Sequence, residues 1–354
     1  DPTTQDEMFI RFSDQEDINT YQPTAVNTAG TQRLADGSKI VGAVRGRDAT
    51  YIWTDTSLFT MRFIGQPLTF GFQQVGTNCG LIGQNAALEV DGAAYWLSEN
   101  GFFRYSGSLE TMTCLVEDFV YNDLNTTANQ LINVGLNNLF GEITWFYCTE
   151  SSTVVNRCVT YNYQDSSPQR PVWTTGTLAR GSWTDSSVFG LPHATFFNAS
   201  DDASFDVQGN TEGSTIYFEH EKGTDEALAN GVTAITSNIE SGDFDITQAR
   251  SSTGQQTGVA TFKGDGEFLM KIRRFIPDFL SQTGNTQVTL QLRNYPNSSQ
   301  ASSPLGPFTI TSSTDKVDTR ARARAISLKV ANTAVGQSWK LGTFRLDTQP
   351  DGRR

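Results

Sequence analysis

Aromatic and aliphatic residues along this chain come in short runs, and polar turn residues separate them. Ala93–Gly107 shows the pattern most plainly: Tyr95-Trp96-Leu97, then Glu99-Asn100-Gly101, then Phe102-Phe103-Arg104-Tyr105. Asn-Gly between two such runs predicts a β-hairpin, because both residues tolerate positive φ. A lone hairpin cannot bury its apolar face, so the pattern has to recur if a core is to form.

It recurs with a regular spacing. Asp48–Phe63 aligns with the hairpin when Tyr51 is set on Tyr95, an offset of 44 residues. Trp145, in Thr144–Tyr147, lies 50 residues beyond Tyr95, and Phe196, in Ala194–Phe197, lies 51 beyond Trp145. Further strands are predicted at Phe9–Phe12, Ile40–Val44, Thr50–Trp53, Arg157–Tyr163 and Ser204–Val207. Hairpin repeats of this length predict β-propeller blades of about four strands each. A meander in a sandwich spaces aromatic strands as regularly, so that alternative stays open. The glycines of Gly71–Gln84 lack a phosphate-loop spacing and read as turns. Leu115–Ile132 is the best helical candidate, with Val116, Phe119, Val120 and Leu124 on one face. A helix there suits either contact with a neighbouring subunit or closure of the gap between two blades.

Beyond a polar stretch at 222–262 the pattern is again strand and turn. Strands are predicted at Ile239–Ile246, Phe268–Ile276, Gln287–Leu292, Phe308–Thr311, Ala325–Val330 and Trp339–Leu346, which together predict a β-sandwich. The chain therefore reads as all-β, with a propeller over residues 1–235 and a C-terminal sandwich over 236–354. In Arg320–Val330, alternation puts Arg320, Arg322 and Arg324 on one face with Ile326, Leu328 and Val330. Guanidinium groups about 7 Å apart, at roughly 3.3 Å per residue, suit carboxylates or phosphates of a partner, or surface acids at a solvated strand end.

Charge supports a division of the chain. Residues 262–354 carry 14 Lys/Arg against 7 Asp/Glu, whereas residues 1–261 carry 12 against 31. An acidic surface repels phosphates, which argues against nonspecific nucleic-acid binding by the first part. No apolar run reaches the 18 or so residues of a membrane span, and no leader of charged then apolar residues opens the chain.

Little points to catalysis or to a cofactor. Cys79, Cys114, Cys148 and Cys158 form no CxxC and no Cys/His ligand cluster, so zinc is not expected. Cys148 and Cys158 flank a predicted turn and read as buried apolar residues, with a disulfide as the other possibility. Asp14 to Asp17 lacks the spacing of a calcium loop. His193 and His220 are the only histidines, and neither sits in a metal-binding helix or beside a nucleophile elbow. A glycosidase needs only two carboxylates, and 38 acids leave that class open.

The segments GLIGQNAALEVDGAAYWLSENGFFRYSG and VEDFVYNDLN resemble the tail nozzle, or packaged-DNA stabilisation, proteins of short-tailed bacteriophages. So do RFSDQEDINTYQPTAVNTAG, IESGDFDI with RFIPDF after it, and DTRARARAISLKV through WKLGTFRLDTQPDGRR. The similarity runs in order across nearly the whole chain. It implies a propeller followed by a sandwich, assembled as a homohexameric ring below the portal and adaptor proteins of the virion tail. Members usually carry a longer N-terminal part, which implies that this chain starts inside the propeller. The implied role is structural: retaining packaged DNA and conducting it during ejection, alongside tail fibre or tailspike proteins. The resemblance supplies no catalytic residue. The competing class is a carbohydrate-binding or glycoside-cleaving propeller, in which Trp53, Trp96, Trp145, Trp173 and Trp183 would stack on sugars rather than fill blade cores.

Overall fold

The computed structural model describes residues 5–185, 190–197, 215–228, 231–250, 256–261, 268–295 and 302–352. The expected strand Ser204–Val207 lies outside them. The chain is all-β, built of many small antiparallel sheets, and no barrel closes among the described residues. It divides into two compact units, Asp1–Lys222 and Gly223–Arg354.

The first unit is a succession of meanders. A ribbon of β1 (Phe9–Phe12) and β2 (Gly30–Arg33) precedes a four-stranded sheet of β3 (Ile40–Arg45), β4 (Thr50–Thr54), β5 (Ser57–Gly65) and β6 (Thr69–Thr77). The second sheet holds β7 (Ala87–Val90), β8 (Ala93–Ser98), β9 (Gly101–Tyr105) and β10 (Leu109–Thr111). A short helix, α1 (Glu117–Asp123), leads to a third sheet of β11 (Asn133–Asn137), β12 (Glu142–Tyr147), β13 (Arg157–Asn162) and β14 (Trp173–Gly176). A fourth sheet joins β15 (Ser182–Thr184), β16 (His193–Phe197) and β17 (Thr215–Glu219).

Alternation along these strands sends side chains to both faces, and each face meets a sheet that is next in sequence. In the first sheet, Ile52 and Phe59 pack with Met8 and Leu34 beside the β1–β2 ribbon. Tyr51, Trp53 and Leu58 share a core with Trp96, Phe102 and Trp145 of the next two sheets. In the third sheet, Ile143, Trp145 and Tyr147 join that core, while Phe146 and Cys158 meet Trp183 of the fourth. Strand β8 is buried along its whole length. The strands through which successive sheets approach most closely are their first ones: β3 with β7, β7 with β11, and β11 with β15.

The expected hairpin at Asn100-Gly101 is present with different turn chemistry. Glu99 and Asn100 form the turn, and Gly101 alone adopts positive φ (129°) at the start of β9. Two glycines of the Gly71–Gln84 stretch serve close approach. A Cβ on Gly80 would lie 2.0 Å from the Asp55 carbonyl oxygen, and one on Gly83 would lie 2.2 Å from that of Asn129.

The expected helix 115–132 is shorter and broken. It ends where Leu124 turns extended (φ −75°, ψ 127°), and a separate 3-10 segment, Thr126–Leu131, follows. The Asn125 side chain accepts from the Thr127 N–H at 3.0 Å and so starts that segment. Val120 and Leu124 are buried as expected, but Phe119 is 45% exposed and lies under the Arg157 guanidinium. Tyr121 ties the helix to the central hairpin: its hydroxyl donates to the Ser98 carbonyl (2.5 Å) and accepts from the Gly101 N–H (3.0 Å).

The second unit opens with a hairpin, β18 (Asp225–Leu228) and β19 (Gly231–Ala234). Both Asp225 carboxylate oxygens accept from the Gly336 N–H at 2.9 Å, which binds this hairpin to the unit. The boundary therefore falls thirteen residues before the expected 235/236. Then come β20 (Ser237–Glu240), β21 (Thr247–Arg250), β22 (Gln256–Thr261), β23 (Met270–Ile276), β24 (Phe279–Thr283), β25 (Thr286–Arg293) and β26 (Ser302–Ile310). The remainder are β27 (Val317–Ala323), β28 (Ala325–Asn332), β29 (Ser338–Leu341) and β30 (Arg345–Pro350). Strands order as β20-β28-β25-β26 in one sheet and β27-β23-β30 in another. Val288, Leu290, Ile326 and Val330 of the first share one core with Met270, Ile272, Phe275, Ala321 and Ala323 of the second. The expected strand Trp339–Leu346 is two strands, broken at Gly342, whose N–H donates to the Asp278 carbonyl (2.8 Å). A Cβ there would lie 2.9 Å from that oxygen.

Trp96 is completely buried in the core of the first unit. Replacing it with Ala is expected to destabilise that unit by about 3–5 kcal/mol through the cavity left behind, with the second unit unaffected. Denaturant titration with hydrogen exchange resolved by segment measures both.

Candidate functional site

The arginine-rich segment singled out by sequence is not one strand. Odd positions Ala321 and Ala323 are buried in β27, whereas Ile326 and Val330, at even positions, are buried in β28. The chain passes from one sheet to the other at Arg324, which lies in the one-residue corner between the strands. Its N–H donates to the Arg293 carbonyl at 3.1 Å. Arg320 and Arg322 thus face away from the core on β27, and the aliphatics of β28 do not share their face.

Strand β23 supplies the rest of the surface. It is the central strand of its sheet, and Lys271 stands directly opposite Arg322. A bulge between Ile272 and Arg274 sets Arg273 opposite the Thr319-Arg320 pair. The bulge also turns Arg273 and Arg274 outward in succession, so that Phe275 returns to the core. Sequence reading missed Lys271 and Arg273. The signal was present in Lys271-Ile272-Arg273-Arg274-Phe275, whose cations alternate with core residues until the bulge.

Three acids on this face are already engaged. The Arg322 Nε lies 2.5 Å from Asp351 Oδ2. The Arg274 Nε lies 3.4 Å from Asp347 and 3.9 Å from Asp318, and Lys316 is 3.4 Å from Asp318. Lys271, Arg273, Arg320 and Arg345 have no carboxylate partner among the described residues.

A second polar cluster lies in the first unit. The Arg180 Nε donates to His220 Nε2 at 2.9 Å, and the guanidinium stacks on Phe218 at 3.8 Å. Trp183 packs on the His220 ring. Burial, then the charges of Arg180 and His193, push the His220 pKa down to about 4. His193 is buried and hydrogen-bonds Tyr217 through Nδ1. Glu142 and Glu221 are each pushed up, chiefly by burial, and Asn137 donates to Glu221 at 3.0 Å. Held neutral by burial and then by Arg180, His220 serves as an acceptor in packing.

The other residues raised by sequence have structural surroundings. Trp53, Trp96 and Trp145 are fully buried and cannot stack on a sugar. The indole N–H groups of Trp173 and Trp183 donate to the Thr113 and Leu136 carbonyls. All four cysteines are free, and Cys148 and Cys158 are buried. The Asp14 carboxylate accepts from the Thr28 hydroxyl and N–H and from the Gln15 N–H, which holds its pKa below the usual range. Among the described residues no group of His, Cys, Asp and Glu is arranged to hold a metal ion, and no helix is long and apolar enough to cross a membrane. Comparison of the sequence with protein-family models and with curated proteins found no match.

A depressed histidine pKa stabilises the fold above the ordinary value and loses that contribution as pH falls. The part owed to His220 is therefore full above pH 6.5 and fades between 6.5 and about 4. Glu142 and Glu221, with raised values, act in the opposite sense. Thermal melts of the wild type and His220→Gln across that range are expected to show a larger loss on acidification in the wild type. Parallel curves would contradict it.

Proposed function

We propose that this chain is a structural protein of a phage virion tail. In this reading it forms the distal tube, or nozzle, that retains packaged DNA and conducts it during ejection. The reading starts from the resemblance to nozzle proteins of short-tailed phages. The observation that carries it is the stack of meanders in the first unit, whose sheets meet most closely through their first strands. Blades of a β-propeller meet in this way, fanning outward from first strands that surround an axis. The second unit, with two sheets on one core, fits the β-sandwich that follows the propeller in such proteins.

Charge gives the reading a physical use. The first unit holds 26 Asp/Glu against 11 Lys/Arg, and an acidic wall keeps a DNA conduit from becoming a DNA trap. The partners are further copies of the chain in a homohexameric ring, the portal and adaptor proteins above it, and tail fibre or tailspike proteins. DNA passes without sequence-specific contact, and the protein needs no cofactor and catalyses no reaction.

The mass of the purified protein in solution, with negative-stain images taken with and without the portal–adaptor assembly, tests this. A ring of about six copies, free or formed only on the adaptor, is the expected result. A monomer that ignores the adaptor would overturn it, and binding in a glycan screen would then point to the carbohydrate class.

A further inference from the structure

Cations on the outer face of the β27-β23-β30 sheet are placed where they repel one another. Lys271 and Arg322 are directly opposite, and the bulge leaves Arg273 opposite the Thr319-Arg320 pair. Like charges opposed across strands destabilise a sheet unless something neutralises them. The acids on this face are occupied by Arg274, Lys316 and Arg322, which leaves Lys271, Arg273, Arg320 and Arg345 as excess positive charge.

Edge protection explains only part of this arrangement. Arginines on an edge strand discourage stray strand pairing, and β27 is an edge. Lys271 and Arg273 sit on the central strand β23, paired on both sides, where no edge needs blunting. Arg273 and Arg320 are exposed. Beside its ion pairs the face thus carries a net excess of positive charge.

Every other copy of the same chain carries charge of the opposite sign. The first unit has a net charge of −15 and the second a net charge of +3. We infer that Lys271, Arg273 and Arg320 of one copy dock onto the acidic first unit of a second copy. This head-to-tail contact joins two different surfaces, the kind that closes into a ring. The inference rests on the ring reading and assigns to it the surface that makes the contact.

The test uses the full chain, as wild type and as Lys271→Ser/Arg273→Ser/Arg320→Ser, followed by sedimentation velocity over a range of protein concentrations at about 50 and about 500 mM salt. These side chains point away from the core, and an unchanged thermal melt confirms that the variant folds. Self-association of the wild type is expected to weaken with salt. The variant at low salt is expected to associate at least about tenfold more weakly. Equal, salt-insensitive assembly of both proteins would overturn this surface and leave the ring reading intact. No association of the wild type, alone or on the adaptor, would overturn both. A variant that assembles normally but no longer binds a short labelled DNA duplex would show that the patch takes phosphate instead.

Discussion

Buried and half-buried indoles that reach back to the preceding sheet hold the first unit together. Trp96 of the second sheet donates to the Cys79 carbonyl, in the segment that leads out of the first. Trp145 and Trp173 of the third donate to the carbonyls of Ala86 and Thr113, which lie on either side of the second sheet. Trp183 of the fourth donates to Leu136 in the first strand of the third. Each ring also fills the space between sheets, as in the Trp53–Trp96 and Phe102–Trp145 contacts at 5.3 and 5.1 Å. One residue type thus supplies the apolar bulk of the core and the hydrogen bond that fixes the next sheet over it. The Trp53 indole N–H, in the first of the four sheets, finds no acceptor among the described residues.

Much of this was legible in the chain because it is written locally. Strand, turn and aromatic spacing predicted the hairpins around Tyr51, Tyr95 and Trp145, and those hairpins lie within the first three sheets. What was misread depends on partners distant in sequence. Alternation carried the arginine face of β27 on into Ile326, because nothing in the sequence marks Arg324 as a corner where the chain changes sheets. The helix was drawn too long because Leu124 keeps the apolar spacing while its backbone is extended. Glycines 80 and 83 read as turns, although what they accommodate is the backbone of Asp55 and Asn129. Lys271 and Arg273 join Arg320 only through pairing across nearly fifty residues.

The two units divide the electrostatic work. In the first, acids outnumber bases by more than two to one, and turn carboxylates such as Asp14 are held ionised by chain donors. In the second, a bulge in a central strand gathers cations on one outer face. A conduit for DNA needs walls that repel phosphate and joints that hold its parts together. In the proposed role, separating the two charges along one chain would meet both needs without placing cations throughout the wall.

The proposed role is tested most directly by nuclease protection of packaged DNA. DNA-filled heads carrying portal and adaptor, but no nozzle, would be incubated with the purified protein and then with nuclease. The account predicts that the protein seats on the adaptor and leaves the genome protected. Bound protein with DNA as nuclease-sensitive as in bare heads, or no binding to the adaptor at all, would contradict it.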